Sequence, residues 1–169
     1  MTTARVLKAM VRTEKPRTGI EPGDAKKLAE GLSRSLGATC VLYVKTQGFH
    51  WNVVGPLFYG LHKLTEEQYR DLAEATDALA ERIRALGHPA PASFAEFLRV
   101  SPIDETTDHK SAEEMVTELV ADHETCARTL RELVAIADEA GDAVTSDLLA
   151  DRIHSHEEAA WMLRSITSG

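Results

Sequence analysis

Apolar side chains recur every three or four residues over long stretches of this chain, and this spacing gathers them on one face of a helix. In the first stretch, Leu28, Leu32, Leu36, Cys40 and Tyr43 follow this spacing, and the polar Gln47 and His50 continue it. Three more stretches follow, and the segments between them contain Gly55-Pro56, Gly87-His88-Pro89 and Gly141. Because glycine and proline end helices, the sequence predicts four long helices.

Boundary signals place these helices along the chain. The long helices are predicted at about residues 24–53, 57–86, 112–139 and 144–166. Asp24 is a candidate N-cap for the first helix, and Ser111 with Glu114 fits a capping box at the start of the third. Ser93 is positioned to cap a short helix around Phe94, within the long connection between helices two and three. Four amphipathic helices with one long crossover predict an all-α four-helix bundle.

The charge of the chain is unevenly distributed. The formal net charge is −8 over 169 residues, yet the first 17 residues contain five basic side chains and one acid. The basic residues are Arg5, Lys8, Arg12, Lys15 and Arg17. We therefore predict a flexible basic arm over residues 1–21 and a bundle domain over residues 22–169. An acidic body disfavours nucleic-acid binding by the bundle, whereas DNA contacts through the arm stay open.

The composition gives no sign of membrane insertion or secretion. The chain lacks an apolar run of about 18 residues, so we expect no membrane span. Its first residues lack the apolar stretch of a secretory signal, so we expect a cytoplasmic protein. Cys40 and Cys126 lie inside helical patterns without metal-like spacing, which indicates small core residues in a reducing compartment.

The second predicted helix carries four side chains that are capable of binding metal, His62, Glu66, Asp77 and Glu81. Each pair spaced by four shares a helix face, yet Glu66 and Asp77 are roughly 16 Å apart along the axis, too far for one ion. The pairs His62/Glu81 and Glu66/Asp77 are centred on the same point of the helix. If two copies packed antiparallel about it, His62 would face the partner's Glu81, and Glu66 would face the partner's Asp77. The pattern therefore predicts two identical sites across a two-fold interface.

The chemistry of these side chains points to a transition metal. Imidazole nitrogen with carboxylate oxygen suits iron, zinc or manganese, and an open, oxygen-rich set suits Fe(II) redox chemistry. His50, at the end of the first helix, could add a second nitrogen after the Gly55-Pro56 turn. Spacing alone favours an exposed salt-bridge face, whereas the symmetric placement and the pairing of His50 with His62 favour a metal site. The metal-capable face lies about 150° from the apolar stripe of its helix, which favours a site between subunits.

A longer pattern surrounds these candidates. It consists of His50-Trp51-Asn52-Val53, Gly55-Pro56, Phe58, Leu61-His62, Glu66, Asp77 and Glu81-Arg82. This pattern resembles the signature of the Dps proteins, the miniferritins of the ferritin superfamily, and the resemblance covers residues 22–166. It implies a ferritin-like bundle, a homo-dodecameric shell and ferroxidase centres at two-fold interfaces. One subunit would supply His50, His62 and Glu66, and its mate Asp77 and Glu81.

The resemblance also implies an activity. Such proteins oxidise Fe(II), typically with hydrogen peroxide in preference to dioxygen, and mineralise Fe(III) inside the shell, which limits oxidative damage to the cell and its DNA. Zinc would be a competing ion. Trp51 matches a tryptophan beside the centre, with a packing role equally open. Glu66 stands where the family usually has Asp, and the added methylene is expected to shift a bound metal rather than abolish binding.

Acidic residues near the start of the fourth helix match an iron-entry pore of the family. Asp142 and Asp147 occupy the relevant positions, and an ordinary solvated helix start is the alternative. A further cluster, His123, His154 and His156 with Glu157 and Glu158, could suggest another metal site. His154 and His156 do not share a helix face, which favours surface or packing roles.

Two other functions stay open on the sequence. The first is a nucleoid-binding protein that compacts DNA through its basic arms. The second is a ferritin-like scaffold with a structural metal. The complete set of metal-capable residues favours the ferroxidase over the scaffold, and the modest charge of the arm favours it over DNA compaction.

Overall fold

The computed structural model describes residues 13–167, which form five helices and no strand. The helices are α1 (Pro22–Asn52), α2 (Phe58–Ala85), α3 (Phe94–Val100), α4 (Ala112–Glu139) and α5 (Ala143–Thr167). α1 packs along α2, and α4 packs along α5. The two pairs join through α1 and α4, whereas α2 and α5 contact each other only sparsely. The predicted all-α four-helix bundle, with a short helix in its crossover, is confirmed.

The start of α1 corrects one prediction. Asp24 is not the N-cap, because α1 begins at Pro22 and Glu21 is the capping position. Proline suits the first helical position, since its fixed φ is already helical and its missing N–H needs no partner there. Asp24 instead lies in the first turn and accepts a hydrogen bond from Lys27 at 3.0 Å. The caps predicted for the third and fourth helices in the chain, α3 and α4, are both present.

The core consists of two apolar clusters at opposite ends of the bundle. One contains Leu28, Leu32, Leu36, Leu79, Ile83, Leu130, Leu133 and Leu149. The other contains Leu42, Phe49, Leu61, Leu72, Met115, Leu119 and Leu163. Between Leu149 and Leu163, α5 buries Arg152 and His156. The bundle interior is therefore polar near its middle.

The end of the predicted arm contacts the bundle. The Glu14 backbone N–H donates to the Gly87 carbonyl at 2.7 Å, just after α2. Residues 1–12 of the arm, with Arg5, Lys8 and Arg12, lie outside the described residues. Within residues 13–167, no helix is both long and apolar enough to cross a bilayer.

A buried lysine ties α1 to α4. Lys45 Nζ lies 2.6 Å from Asp122 Oδ2 and 2.8 Å from Glu118 Oε1, and its side chain is 3% exposed. Burial alone would raise the pKa of Glu118, but hydrogen bonds from Lys45, Thr106 and Lys110 lower it to about 2. Both carboxylates are therefore held in place by a cation that water hardly reaches.

We expect Lys45→Met to destabilise the protein by about 3 kcal/mol, because two partly buried carboxylates lose their shared cation. Urea unfolding followed by far-UV circular dichroism measures the effect. Lys26→Met is the matched control, since Lys26 lies 3.8 Å from Glu30 and both side chains are about two-thirds exposed. The control should cost less than about 0.5 kcal/mol. Equal effects of the two substitutions would contradict a stabilising role for the buried pair.

Candidate metal centre

Two histidines meet where α1 turns into α2. Gly55, with φ of +93°, lets the chain reverse between the helices, and the Phe58 N–H donates to the Gly55 carbonyl at 3.0 Å. The turn stacks the His50 and His62 rings with centroids 3.8 Å apart. Each ring then bonds the backbone of the other residue. His50 Nδ1 lies 2.8 Å from the His62 carbonyl, and His62 Nδ1 lies 2.9 Å from the His50 carbonyl.

These reciprocal bonds fix the tautomer of both rings. A carbonyl oxygen only accepts, so each Nδ1 must carry the proton and donate it. In the neutral ring the lone pair then resides on Nε2, the nitrogen that is left for a metal. The His50 carbonyl also belongs to the last turn of α1, where carbonyls lack an intrahelical partner. The same bond that orients His62 therefore satisfies the end of α1.

Aromatic side chains support this histidine pair. Tyr69 packs edge-on against His50 with centroids 5.2 Å apart, and Phe58 stacks on His62 at 5.1 Å. His50 is 8% exposed, whereas His62 is half-buried. Trp51 is 68% exposed. Its side chain lines a groove of about 610 Å³ together with residues of α3. The place beside the metal centre that the sequence predicts for Trp51 remains a prediction.

Glu66 lies one turn beyond His62 and is held by two cations. Its carboxylate accepts hydrogen bonds from Lys63 at 3.1 Å and from Arg70 at 2.5 Å. The hydrogen bond from Lys63, helped by the positive charge of Arg70, lowers the pKa of Glu66. The carboxylate is therefore ionised, and a metal would have to displace these partners to bind it.

Asp77 and Glu81 are exposed on α2. Asp77 follows Glu66 by 11 residues, close to three helical turns, so both lie on the same face. One chain brings His50 and His62 together, with Glu66 nearby, but leaves Asp77 and Glu81 further along the helix. Among residues 13–167, no group of three or more His, Cys, Asp or Glu side chains could hold a metal.

Asp142 and Asp147, the two residues predicted to line an iron-entry pore, differ in their burial. Asp142 is 3% exposed and accepts two bonds of 2.7 Å from Arg82, as well as one from the Thr145 N–H at 3.1 Å. Burial alone would raise the pKa of Asp142, but the bonds from Thr145 and Arg82 lower it. Asp142 therefore caps α5 and anchors it to α2, whereas Asp147 is exposed. The pore itself remains a prediction.

His123 and His156 meet inside the bundle, while His154, Glu157 and Glu158 are exposed. The two Nδ1 atoms are 2.9 Å apart, so one ring donates a hydrogen bond to the other. Burial, with the charge of Arg152, lowers the pKa of His123 to about 4. Burial also lowers the pKa of His156. Helical spacing on α4 and α5 was compatible with a packing role, but nothing in the sequence indicated that these two residues touch.

This pair predicts acid sensitivity of the metal-free protein. The unfolded chain binds protons on these histidines below pH 6.5, while folded His123 stays neutral down to about 4. Stability is thus fully present above pH 6.5 and lost on acidification toward pH 4, by about 3 kcal/mol for one such histidine. Thermal unfolding of chelator-treated protein should be less pH-dependent over this window in His123→Gln/His156→Gln. Parallel profiles for the two proteins would contradict the assignment.

Comparison with known proteins supports a single family. Residues 29–168 match the ferritin-like domain family. A low temperature-induced protein of Nostoc is 45% identical over 140 residues, which cover 82% of this chain and 78% of that protein. DNA protection during starvation protein 2 of Bacillus anthracis is 38% identical over 140 residues, covering 83% and 96%.

A solved structure extends the similarity to the fold. The Dps protein of Vibrio cholerae, described as a member of a broad superfamily of ferritin-like diiron-carboxylate proteins, superposes with a TM-score of 0.84. It is 34% identical and covers 93% of this chain and 97% of its own. Sequence similarity and fold thus agree, and the chain belongs to the Dps family of ferritin-like proteins.

Proposed function

We propose that this protein is a ferroxidase and an iron-storage miniferritin. Its subunits associate into a dodecameric shell in the cytoplasm, Fe(II) is oxidised at sites shared by two subunits, and Fe(III) is stored as mineral inside. Hydrogen peroxide, or dioxygen, is the oxidant. Removing iron and peroxide together protects the cell and its DNA from oxidative damage. Zinc would compete for the same sites.

The observation that supports this function most strongly is the reciprocal bonding of His50 and His62. It leaves two Nε2 lone pairs at the α1–α2 turn, one helical turn from ionised Glu66. Asp77 and Glu81 are exposed on the same helix and need a second copy to complete a site. Two nitrogens with several carboxylate oxygens suit iron, and the hard oxygen donors favour the Fe(III) product.

The reaction follows from this set of ligands. Two Fe(II) substrate ions each give one electron to hydrogen peroxide, which takes up two protons and leaves as two waters. The Nε2 atoms of His50 and His62 hold the iron, Glu66 releases Lys63 and Arg70 to bind it, and the partner's Asp77 and the partner's Glu81 close the site. The net charge of −8 favours the approach of Fe(II).

An apolar surface supports pairing of subunits. Val44, Trp51, Phe94 and Leu98 are exposed on α1 and α3, and they surround the groove of about 610 Å³. Contiguous apolar patches of this kind mark protein contacts. The groove adjoins the end of α1, next to His50. A copy that covers it would therefore approach the half-site.

We expect His62→Ala and Asp77→Asn each to abolish fast Fe(II) oxidation, since every site needs both residues. Shells that contain the two variants in equal numbers should regain about a quarter of the competent sites. Half of random pairs are mixed, and one of the two sites in each mixed pair is intact. Stopped-flow absorbance of Fe(III) after mixing with peroxide measures this.

His154→Ala is the control, because His154 is exposed on α5. The two variants are co-expressed with different tags, and shells are purified on both tags in turn. No recovery in such mixed shells would refute a shared site. A shell that binds zinc but oxidises no Fe(II) would favour the scaffold with a structural metal.

DNA binding through the basic arm is a second function, favoured by the five cations among residues 1–17. Replacing Arg5, Lys8, Arg12, Lys15 and Arg17 by Gln should abolish DNA retention in gels without changing ferroxidation. Retention by the unaltered protein should fall steeply with salt, because phosphate contacts release counterions. Lys26→Gln/Lys27→Gln removes two exposed cations from the bundle and should have little effect. Retention that survives the five substitutions would exclude the arm.

A further inference from the structure

The side chain that holds Glu66 most closely belongs to an exposed arginine. Arg70 Nη2 lies 2.5 Å from Glu66 Oε1, and the Arg70 side chain is 67% exposed, whereas that of Glu66 is 22% exposed. Lys63 Nζ lies 3.1 Å from the other carboxylate oxygen, Glu66 Oε2. An ion pair with a well-solvated partner contributes at most about 1 kcal/mol. A second acid near Arg70 is therefore sufficient to draw it away from Glu66.

Arg70 lies on the face of α2 that carries the candidate metal ligands. At about 100° per residue, Arg70 falls between Asp77 and Glu81 around the helix axis. Glu74 lies about 20° beyond Glu81, so it borders the same face. Glu74 is exposed and forms no salt bridge among residues 13–167. This face therefore presents an acid without a counter-ion close to Arg70.

Two-fold packing brings Arg70 and Glu74 of different subunits together. The shared site proposed above centres two antiparallel α2 helices on the point between Asp71 and Leu72. Arg70 precedes this point by one and a half residues, and Glu74 follows it by two and a half. Reversal of the second helix thus places the partner's Glu74 within about one residue, roughly 1.5 Å along the axis, of Arg70. The two-fold axis also keeps both side chains on the same side of the helix pair.

The order of the residues along α2 disfavours the same exchange within one subunit. An acid four residues before a base is the better orientation in a helix, and Glu66 precedes Arg70 in this way. Glu74 follows Arg70, which is the weaker orientation. The observed bond from Arg70 to Glu66 agrees with this preference. The acid that replaces Glu66 therefore comes from the second subunit.

We propose that Arg70 couples the pairing of subunits to metal binding. In the unpaired subunit Arg70 holds Glu66, and in the pair it binds the partner's Glu74, which frees one oxygen of Glu66 for the metal. Lys63 stays beside the other oxygen until the ion displaces it. Arg70 is thus a positioning residue that keeps Glu66 closed to metal ions before assembly. This inference rests on the shared site of the proposed function.

Disulfide cross-linking tests the contact. Full-length Arg70→Cys/Glu74→Cys should form dimers on non-reducing gels after mild oxidation, because these positions meet across the two-fold axis. Native Cys40 and Cys126 are buried. Lys63→Cys/Glu67→Cys has the same spacing, but its positions are about 20 Å apart across the axis, so it should stay monomeric on the gel. Absence of the dimer, or equal dimer formation in this control, would overturn the proposal together with the register of the shared site.

A double-mutant cycle on the assembled protein tests the exchange of partners. Zinc is the probe because it has no redox chemistry, and calorimetry measures its affinity. Glu74→Gln should weaken Zn(II) binding about fivefold, since Arg70 then stays on Glu66. In the Arg70→Gln background the same change should have at most about a twofold effect. Glu67→Gln, which removes another exposed carboxylate of α2, is the matched control. Equal weakening by Glu74→Gln in both backgrounds would overturn the proposal.

Mixed shells distinguish exchange between subunits from exchange within one. With Arg70→Gln and Glu74→Gln subunits in equal numbers, about a quarter of the sites should be weakened, because a weak site then needs two Glu74→Gln subunits. Weakening of half of the sites would show exchange within a subunit and refute the coupling. Zinc binding that is lost in His62→Ala but unchanged in Glu74→Gln would refute the role of Arg70 and leave the proposed shared site intact.

Discussion

The exchange of hydrogen bonds between His50 and His62 is the interaction on which the proposed chemistry depends. Each imidazole donates a hydrogen bond to the backbone carbonyl of the other residue. These bonds fix the orientation of both rings and also provide a partner for a carbonyl in the last turn of α1. The Gly55 turn makes this exchange possible. Since both Nδ1 atoms are occupied by the backbone, both Nε2 atoms are left for iron. In the proposed site, one chain supplies the two nitrogen ligands and a neighbouring subunit supplies the distant carboxylates Asp77 and Glu81.

Helix α2 has polar side chains on both its outer and its buried face. Its outer face carries Glu66 and Asp77, whereas its inner face buries Leu61, Leu72 and Gln68. Among residues 13–167, the amide of Gln68 has no hydrogen-bond partner, which is unfavourable for a buried side chain. The sparse packing of α2 against α5 leaves space next to this side chain.

The helices could be predicted from the sequence because apolar periodicity, capping residues and helix-ending glycine or proline act on neighbouring residues of the chain. The exception is the start of α1, where Pro22 at the first helical position outweighs the capping preference of Asp24. Candidate iron ligands also followed from spacing. Contacts between distant residues did not, such as Arg82 with Asp142 or His123 with His156, because no local pattern records which helices meet. Residue type and spacing therefore predicted the candidate half-site, whereas the tautomers of its histidines, the Asp142 cap and the His123–His156 contact required the fold.

The central claim is that subunits must assemble to oxidise and hold iron. It is tested most directly by size-exclusion chromatography with light scattering and iron detection, after Fe(II) and hydrogen peroxide have been added. Iron that co-elutes with a particle of about twelve subunits is the predicted result. A monomer that oxidises iron at full rate, or a shell that elutes without iron, would contradict the claim.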